Sequence, residues 1–197
     1  MRICITLDDV IRDKTKQIVL AYQKSVNPDI ELDQLEITSQ NLCKTLGFES
    51  DTEYKKFLYE DCVFQVFGEA LTCSKMLDKN LNLWLLKLND LEEEPTVCLA
   101  STNEFNTSIG CTCFFLSKIA TRVREIFFPK SNSDLLKLGD VIVTSDPSVV
   151  TEDTTGKCIV KIKTEYNEGF IGHLEYESLQ DLINDDEFIE KAKEILK

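Results

Sequence analysis

Short apolar runs alternate along the chain with longer segments of helical periodicity. The apolar runs at 3–7, 96–100, 123–128, 140–144 and 157–164 end at polar or turn residues and predict buried strands. Helical patterns are found at 107–119, 132–138, 178–184 and 186–196. Strands that alternate with helices in this way predict an α/β fold, in which helices cover both faces of a parallel sheet.

Residues 14–93 interrupt this alternation. The sequence there predicts helices at 13–26, 39–46, 51–62 and 74–92 and one half-buried strand at 32–37. In the longest of these helices, Leu81, Trp84 and Leu88 fall on one face, so we expect Trp84 to pack in a core. Because the strand at 3–7 must join the later sheet, we predict a core of residues 1–13 and 94–197, with 14–93 as a mainly helical insertion.

The charge of the chain limits its partners. There are 22 basic and 35 acidic residues, and the net charge is −13. Direct binding to a nucleic-acid backbone is not expected, because such binding depends on cationic side chains. A protein partner with a basic surface would be attracted instead. We also expect no membrane association, since no stretch approaches the roughly 20 apolar residues of a membrane span.

The cysteines and the single histidine give little indication of catalysis. Most of the eight cysteines lie in apolar runs and no CxxC pair is present, so we expect small buried side chains rather than zinc ligands. Disulfides stay possible on the count alone. A reduced, intracellular (cytoplasmic) protein is favoured, and the N-terminus lacks the pattern of a signal peptide. His173 is expected to have a structural role.

Polar residues follow three of the predicted strands, where a doubly wound sheet binds its ligands. They are Thr6, Asp8 and Asp9 after the first, Ser101 and Thr102 after the second, and Thr144, Ser145 and Asp146 after a third. Carboxylates at two strand ends could hold a hard cation such as Mg²⁺. Hydroxyl groups with a lysine, either Lys130 or Lys118, could bind a phosphate group.

The order of these features resembles that of the haloacid dehalogenase-like (HAD) superfamily of phosphohydrolases. The stretches that carry the resemblance are ICITLDDVI, VCLASTNEF, SIGCTCFFLSK and GDVIVTSDP. The similarity spans nearly the whole chain, with residues 14–93 in the place of a cap. It extends to the short 5′-nucleotidase-type branch, some members of which are encoded by phages. The resemblance implies a Rossmann-like parallel sheet flanked by helices, with a cap-type insertion after the first strand.

The first motif of the family is degenerate in this chain. The resemblance places Thr6 at the position of the aspartate that attacks phosphorus, and Asp8 at that of the general acid/base. Asp9 stands where a glycine usually follows. A threonine hydroxyl is neutral, needs a separate base and is a poor metal ligand. Loss of a nucleophile commonly lowers the rate by about 10⁴ to 10⁶.

The later motifs supply the other expected site residues. By resemblance, Ser101 or Thr102 of the second motif and Lys130 of the third would bind phosphate. Asp146 of the fourth motif would hold magnesium together with Asp8, if a vestigial metal site persists. Ser145 occupies a position that is often a second acid.

These features favour a catalytically inactive HAD-like protein without a cofactor, used as a structural or protein-interaction module. It would bind other proteins in a large assembly or oligomeric ring, such as a phage particle, and so be intracellular or part of a virion. The alternative is a Mg²⁺-dependent phosphohydrolase that acts on nucleotides or small phosphate esters. A third hypothesis is a sensor that binds a phosphorylated ligand through Ser101, Thr102 and Lys130 without cleaving it.

Overall fold

Six parallel strands form the sheet at the centre of the computed structural model, which describes residues 1–31, 34–91, 94–102, 104–150 and 152–197. The strands are β1 (Arg2–Thr6), β2 (Thr96–Ala100), β3 (Ile126–Phe127), β4 (Val141–Thr144), β5 (Cys158–Ile162) and β6 (Leu174–Tyr176). Their order across the sheet is β3-β2-β1-β4-β5-β6. The predicted Rossmann-like α/β fold is thereby confirmed.

The apolar character of β1 follows from its central place in the sheet. It pairs with β2 through Cys4 and Cys98 and with β4 through Cys4 and Ile142, both in parallel register. Ile3, Cys4 and Ile5 have no exposed surface. A strand that is buried on both faces lacks the polar alternation of a surface strand.

Six of the α-helices in the described residues cover the two faces of this sheet. The α-helices are α1 (Lys14–Ser25), α2 (Asp51–Lys56), α3 (Leu77–Asn89), α4 (Ser108–Lys118), α5 (Asn132–Leu136), α6 (Pro147–Val150), α7 (Leu179–Asn184) and α8 (Phe188–Leu196). On one face α3, α4, α7 and α8 pack against Ile3 and Ile5, and on the other α5 and α6 pack against Cys4 and Ile142. In the part of the chain that the structure describes, no helix has the length and apolar character needed to cross a membrane.

The predicted insertion contributes to two separate cores. Ile18, Tyr22 and Phe67 belong to a cluster built mainly from residues of 14–68, in which aromatic rings pack edge to face. Helix α3 instead packs with the sheet, and Trp84 lies 6.2 Å from the ring of Phe188. The division of the chain at residue 94 stays a prediction, although α3 shares the apolar cluster of the sheet.

Several elements within 14–93 differ from the sequence-based expectation. Residues 34–37, the described part of the predicted strand at 32–37, lie outside the sheet, while 32 and 33 lie outside the described residues. The predicted helix at 39–46 consists of turns. There the Asn41 side chain accepts from the Cys43 N–H, and the Tyr54 hydroxyl accepts from the Leu42 N–H. Such side-chain bonds to the backbone compete with helical hydrogen bonds.

Some helices and strands begin or end at other residues than the sequence predicts. The helix predicted at 51–62 continues beyond α2 as a π-helical turn at Phe57–Asp61, and a second one follows at Phe64–Gly68. The strand predicted at 123–128 forms only the two-residue edge strand β3. The helix predicted at 74–92 is α3, and residue 92 lies outside the described residues.

His173 makes hydrogen bonds to the sheet and is not part of a catalytic site. Its backbone N–H donates to the Ile159 carbonyl at 2.8 Å, and its Nδ1 accepts from the Ile159 N–H at 2.9 Å. The imidazole thus satisfies a backbone donor of β5 just before β6 begins. This contact gives the side chain a structural role.

Candidate functional site

Most of the predicted site residues lie around one small cavity at the carboxyl ends of the strands. The cavity is lined by Thr6, Leu7, Asp8, Gln40, Ser101, Thr102, Leu135, Thr144, Ser145 and Asp146. The parallel arrangement of β1, β2 and β4 explains why residues so far apart in sequence meet here. The volume of this strand-end cavity is only about 10 Å³, which is room for one water molecule at most.

Neither candidate lysine reaches the strand-end cavity. Lys130 is exposed beyond β3, where its charge helps to lower the pKa of Asp134, after the larger effects of Lys137 and Ser131. Lys118 donates from Nζ to the Gly68 carbonyl at 3.0 Å. The assignment of a phosphate-binding role to Lys130 stays a prediction, and in this conformation the lysine does not line the cavity.

Thr6 ends β1 and is 8% exposed. Its Oγ1 is buried and has no hydrogen-bond partner among the described residues. A hydroxyl becomes a nucleophile only when a base removes its proton, and none of the described groups is bonded to it. The position therefore supplies neither a charged nucleophile nor an activated one.

The carboxylate of Asp8 is bound by two cationic side chains. Its Oδ1 accepts from Nε of Arg12 at 3.0 Å and also from Nη2, and its Oδ2 accepts from Nζ of Lys14 at 2.7 Å. Burial acts to raise the pKa of Asp8, but Arg12 and Lys14 outweigh it and hold this pKa well below its usual range. Asp8 is consequently ionised at neutral pH and has no proton to donate as a general acid.

Arg12 connects Asp8 to a second buried acid, Glu104. The Arg12 side chain is fully buried, and its Nη2 lies 2.9 Å from Oε1 of Glu104, whose side chain is 1% exposed. Glu104 also accepts from the hydroxyls of Ser101 and Thr112. We refer to Asp8, Arg12, Lys14 and Glu104 as the buried ion network. It contains two acids and two bases, so its formal charge is zero.

Arg12, Lys14 and Glu104 are not among the site residues predicted from the sequence. A signal for Arg12 was present, because this residue follows the apolar pair Val10 and Ile11, and a charge in such a setting needs a buried partner. Glu104 had no comparable signal. It lies just after the predicted phosphate-binding residues, in a segment that sequence reasoning treated as a loop.

The residues at the strand ends do not fit a magnesium ion. Both oxygens of Asp8 are bound by cations, which would repel a divalent ion placed beside them. Oδ1 of Asp146 accepts from the N–H and the hydroxyl of Ser148 at the start of α6. The Ser145 hydroxyl donates to the backbone carbonyl of Asp8 at 2.8 Å. Within the described ranges, no group of three or more His, Cys, Asp or Glu residues is placed to hold a metal.

Asp9 turns away from the strand-end cavity and lines a larger one of about 410 Å³. Its φ is 55°, a left-handed conformation that is uncommon for residues other than glycine. Its carboxylate accepts from the N–H and the hydroxyl of Thr15 and from the hydroxyl of Tyr166. Burial raises the pKa of Asp9 above its usual range.

Comparison with solved structures identifies proteins of similar fold. A haloacid dehalogenase-like hydrolase from Bacteroides fragilis is 12% identical with a TM-score of 0.60, over 92% of this chain and 98% of the other. A HAD-superfamily hydrolase of subfamily IA from Geobacter sulfurreducens is 12% identical with a TM-score of 0.54, over 93% and 94%. A β-phosphoglucomutase from Clostridium difficile is 14% identical with a TM-score of 0.52, over 99% and 98%.

These similarities concern the fold. No protein-family model and no curated protein sequence matches the chain. At identities of 12–14% the likeness shows that the chain has the architecture of HAD-like hydrolases. Whether the chain has the activity of such hydrolases depends on the residues at its strand ends.

Proposed function

We propose that this chain is a catalytically silent protein with a HAD-like fold that acts by binding other proteins. The observation that carries the proposal is the buried ion network. Arg12 and Lys14 bind both oxygens of Asp8, the residue at the acid/base position, and the cavity that Asp8 lines has a volume of only about 10 Å³. Phosphoryl transfer by this fold needs a nucleophile, an acid/base and space for the phosphoryl group, and each of the three is missing or blocked.

The charge balance of the network supports the same conclusion. Arg12 and Lys14 supply two positive charges to two buried carboxylates, and Arg12 also lies 5.1 Å from the centre of the Phe67 ring. Buried carboxylates without a counter-charge would be strongly destabilising. Because Arg12 and Lys14 provide that counter-charge, the buried ion network is neutral without a divalent cation.

The surface offers features suited to protein partners. The net charge of −13 attracts basic surfaces. Two exposed rings, Phe64 of the second π-helical turn and Phe114 of α4, have their centres 5.2 Å apart on the surface. Exposed aromatic side chains are enriched in protein interfaces. A place in a phage particle or an oligomeric ring stays a prediction from the sequence resemblance.

A Mg²⁺-dependent phosphohydrolase is the second candidate. It is favoured by the retention of Asp8 at the acid/base position, close to Ser101 and Thr102 in one cavity. For this function, Arg12 and Lys14 would have to release Asp8 when substrate enters. The small volume of the strand-end cavity and the ion pairs of Asp8 are evidence against phosphohydrolase activity.

Hydrolysis of p-nitrophenyl phosphate with Mg²⁺ tests the proposal. We expect no turnover above the buffer rate for the wild type, and no Mg²⁺ binding by isothermal titration calorimetry. Thr6→Asp restores the missing carboxylate, and Thr6→Asn is its matched neutral control. Both are expected to be inactive, because Arg12 and Lys14 still occupy Asp8.

Wild-type turnover that Asp8→Asn abolishes would contradict the silent role and establish the phosphohydrolase. Circular dichroism of each variant distinguishes loss of activity from loss of fold. The binding role has its own test, which is sedimentation of the purified chain and co-purification from its native source. If the chain is a monomer and no partner co-purifies, a role in an assembly loses its support.

A further inference from the structure

The cavity beside Asp9 has no assigned role and combines apolar walls with several carboxylates. Its volume of about 410 Å³ lies in the range of small-molecule pockets, roughly 300–1,000 Å³. Of the described residues, none lines both this cavity and the strand-end cavity. Asp8 and Asp9 are adjacent in sequence, yet their side chains serve different cavities.

The walls of this second cavity come from two parts of the chain. Ile162 and Leu179 lie on the side of the sheet, and Leu35 and Ile37 lie on the side of the predicted insertion. Small-molecule sites commonly lie at such junctions and have mostly apolar walls with a few polar groups. The apolar walls would accommodate a ligand with a hydrocarbon body.

The polar groups of the cavity are predominantly acidic. Among the described lining residues, four carboxylates face two ammonium groups, and one of those ammonium groups, on Lys163, is bound to Glu177 at 2.7 Å. Asp9 and Asp13 lie together beside the start of α1. Burial and the neighbouring Asp9 raise the pKa of Asp13, and the backbone N–H and charge of Lys16 offset this only in part.

The backbone at Asp9 gives an independent reason to consider a ligand. A carboxylate occupies a left-handed position, φ 55°, that glycine would adopt without strain. Strained positions of this kind cluster at ligand-binding sites. Ser74, which also lines the cavity, has a buried Oγ without a partner among the residues with described positions.

We propose that this cavity binds a small organic cation, a protonated amine with an apolar body. Its ammonium group would lie between the carboxylates of Asp9 and Asp13, and its body would lie against Ile37, Ile162 and Leu179. The Ser74 hydroxyl oxygen would accept a hydrogen bond from the ammonium group. A small anion is disfavoured, because four of the described lining residues are carboxylates against two lysines, and Lys163 is already paired with Glu177.

Titration of the ¹⁵N-labelled full chain, followed by NMR, tests this site with three probes of equal length. We use n-hexylammonium, n-hexanol and hexanoate at concentrations up to about 10 mM. We expect n-hexylammonium to shift the amide signals around Asp9, Ser74 and Leu179, with an affinity at least about tenfold above that of n-hexanol. Hexanoate is expected to leave these signals unchanged.

Two neutral substitutions are matched to the local backbone. Asp13→Asn keeps a residue that caps α1 as well as aspartate does, and Asp9→Asn keeps one that tolerates a left-handed conformation. Each is expected to weaken n-hexylammonium binding by about fivefold or more. Glu190→Gln, at an exposed acid on α8 outside the cavity lining, should leave the affinity unchanged.

Cys73→Trp provides a test that leaves both carboxylates in place. Cys73 lines the cavity and is exposed, so a larger side chain there fills the space without disturbing a core. Binding of n-hexylammonium should be lost. Equal affinity for n-hexanol, undiminished binding in Asp9→Asn and Asp13→Asn, or no saturable shift at the cavity would each overturn the proposal. The outcome is independent of the phosphatase assay, because the two cavities are separate.

Discussion

Arg12 shows how one residue can determine the chemistry of a strand end. Its guanidinium is fully buried and contacts Asp8, Glu104 and the hydroxyl of Thr112. Removing charges from water costs several kcal/mol per ion, and only close pairing offsets that cost. The network is therefore a unit in which the loss of one member exposes the others to the full penalty.

Replacement of this arginine should destabilise the fold strongly. Arg12→Met leaves Asp8 and Glu104 with only Lys14 as a counter-charge, and we expect the free energy of unfolding to fall by about 3–5 kcal/mol. Urea denaturation followed by circular dichroism measures the change. Lys137→Met, at an exposed ion pair with Asp134, is the control and should have little effect.

The combination of Arg12→Met with Glu104→Leu tests whether the loss is electrostatic. This pair of changes leaves Asp8 and Lys14 as a neutral pair, so part of the lost stability should return. If the double variant is as unstable as the sum of both single variants predicts, the two residues do not act as a unit.

Among the secondary-structure elements, the close approach of β4 to β1 depends on Gly139, where there is no room for a side chain. A Cβ at Gly139 would lie 2.9 Å from the Arg2 carbonyl oxygen and 3.0 Å from that of Val141. Both are backbone atoms in the sheet and cannot move aside as a flexible side chain can. Gly110, within α4, has open space around the same position.

The two glycines should therefore respond to alanine with opposite signs. Gly139→Ala is expected to lower the free energy of unfolding by about 1–3 kcal/mol, because the sheet must shift to admit the methyl group. Gly110→Ala should raise it by about 0.5–1 kcal/mol, since alanine favours the helix. Thermal denaturation of both variants measures the difference, and a tolerated alanine at Gly139 would be evidence against this close approach.

Elements with strong apolar periodicity could be predicted from the sequence, and those governed by tertiary contacts could not. The runs that form β1 and β2 are apolar at nearly every position, and such short continuous runs are typical of buried strands. The turns at 39–46 depend on the Tyr54 hydroxyl, whose position is known only after folding.

The strand-end residues could be identified in the same way, since strand ends follow from the apolar runs. The contacts of those residues could not, because Arg12 pairs with Glu104 across 92 positions of sequence. No local pattern encodes a pairing at that distance. The presence of Asp8 was predictable, whereas its neutralisation by Arg12 and Lys14 required the fold.

The whole molecule carries a large excess of negative charge. The chain has 35 acidic and 22 basic residues, and most of the basic residues lie outside the buried ion network. Like charges on a folded surface repel one another and oppose the compact state. Salt screens this repulsion over a Debye length of about 10 Å at 0.1 M.

Added salt should accordingly stabilise the protein. We expect the melting temperature at pH 7 to rise as NaCl increases from about 0.01 M to about 0.5 M, because the Debye length shortens. Scanning calorimetry measures the shift, with sucrose as an uncharged control. A melting temperature that falls with NaCl would show that attractive surface ion pairs outweigh the repulsion.

The central place of β1 also affects how the chain emerges from the ribosome. Its neighbours in the sheet, β2 and β4, begin only at Thr96 and Val141. At about 5–20 residues per second, translation takes roughly seven to thirty seconds to supply both. During this interval the apolar strand has two unpaired edges, which are templates for aggregation. The nascent chain is therefore expected to be a client of the chaperones that shelter unfinished sheets.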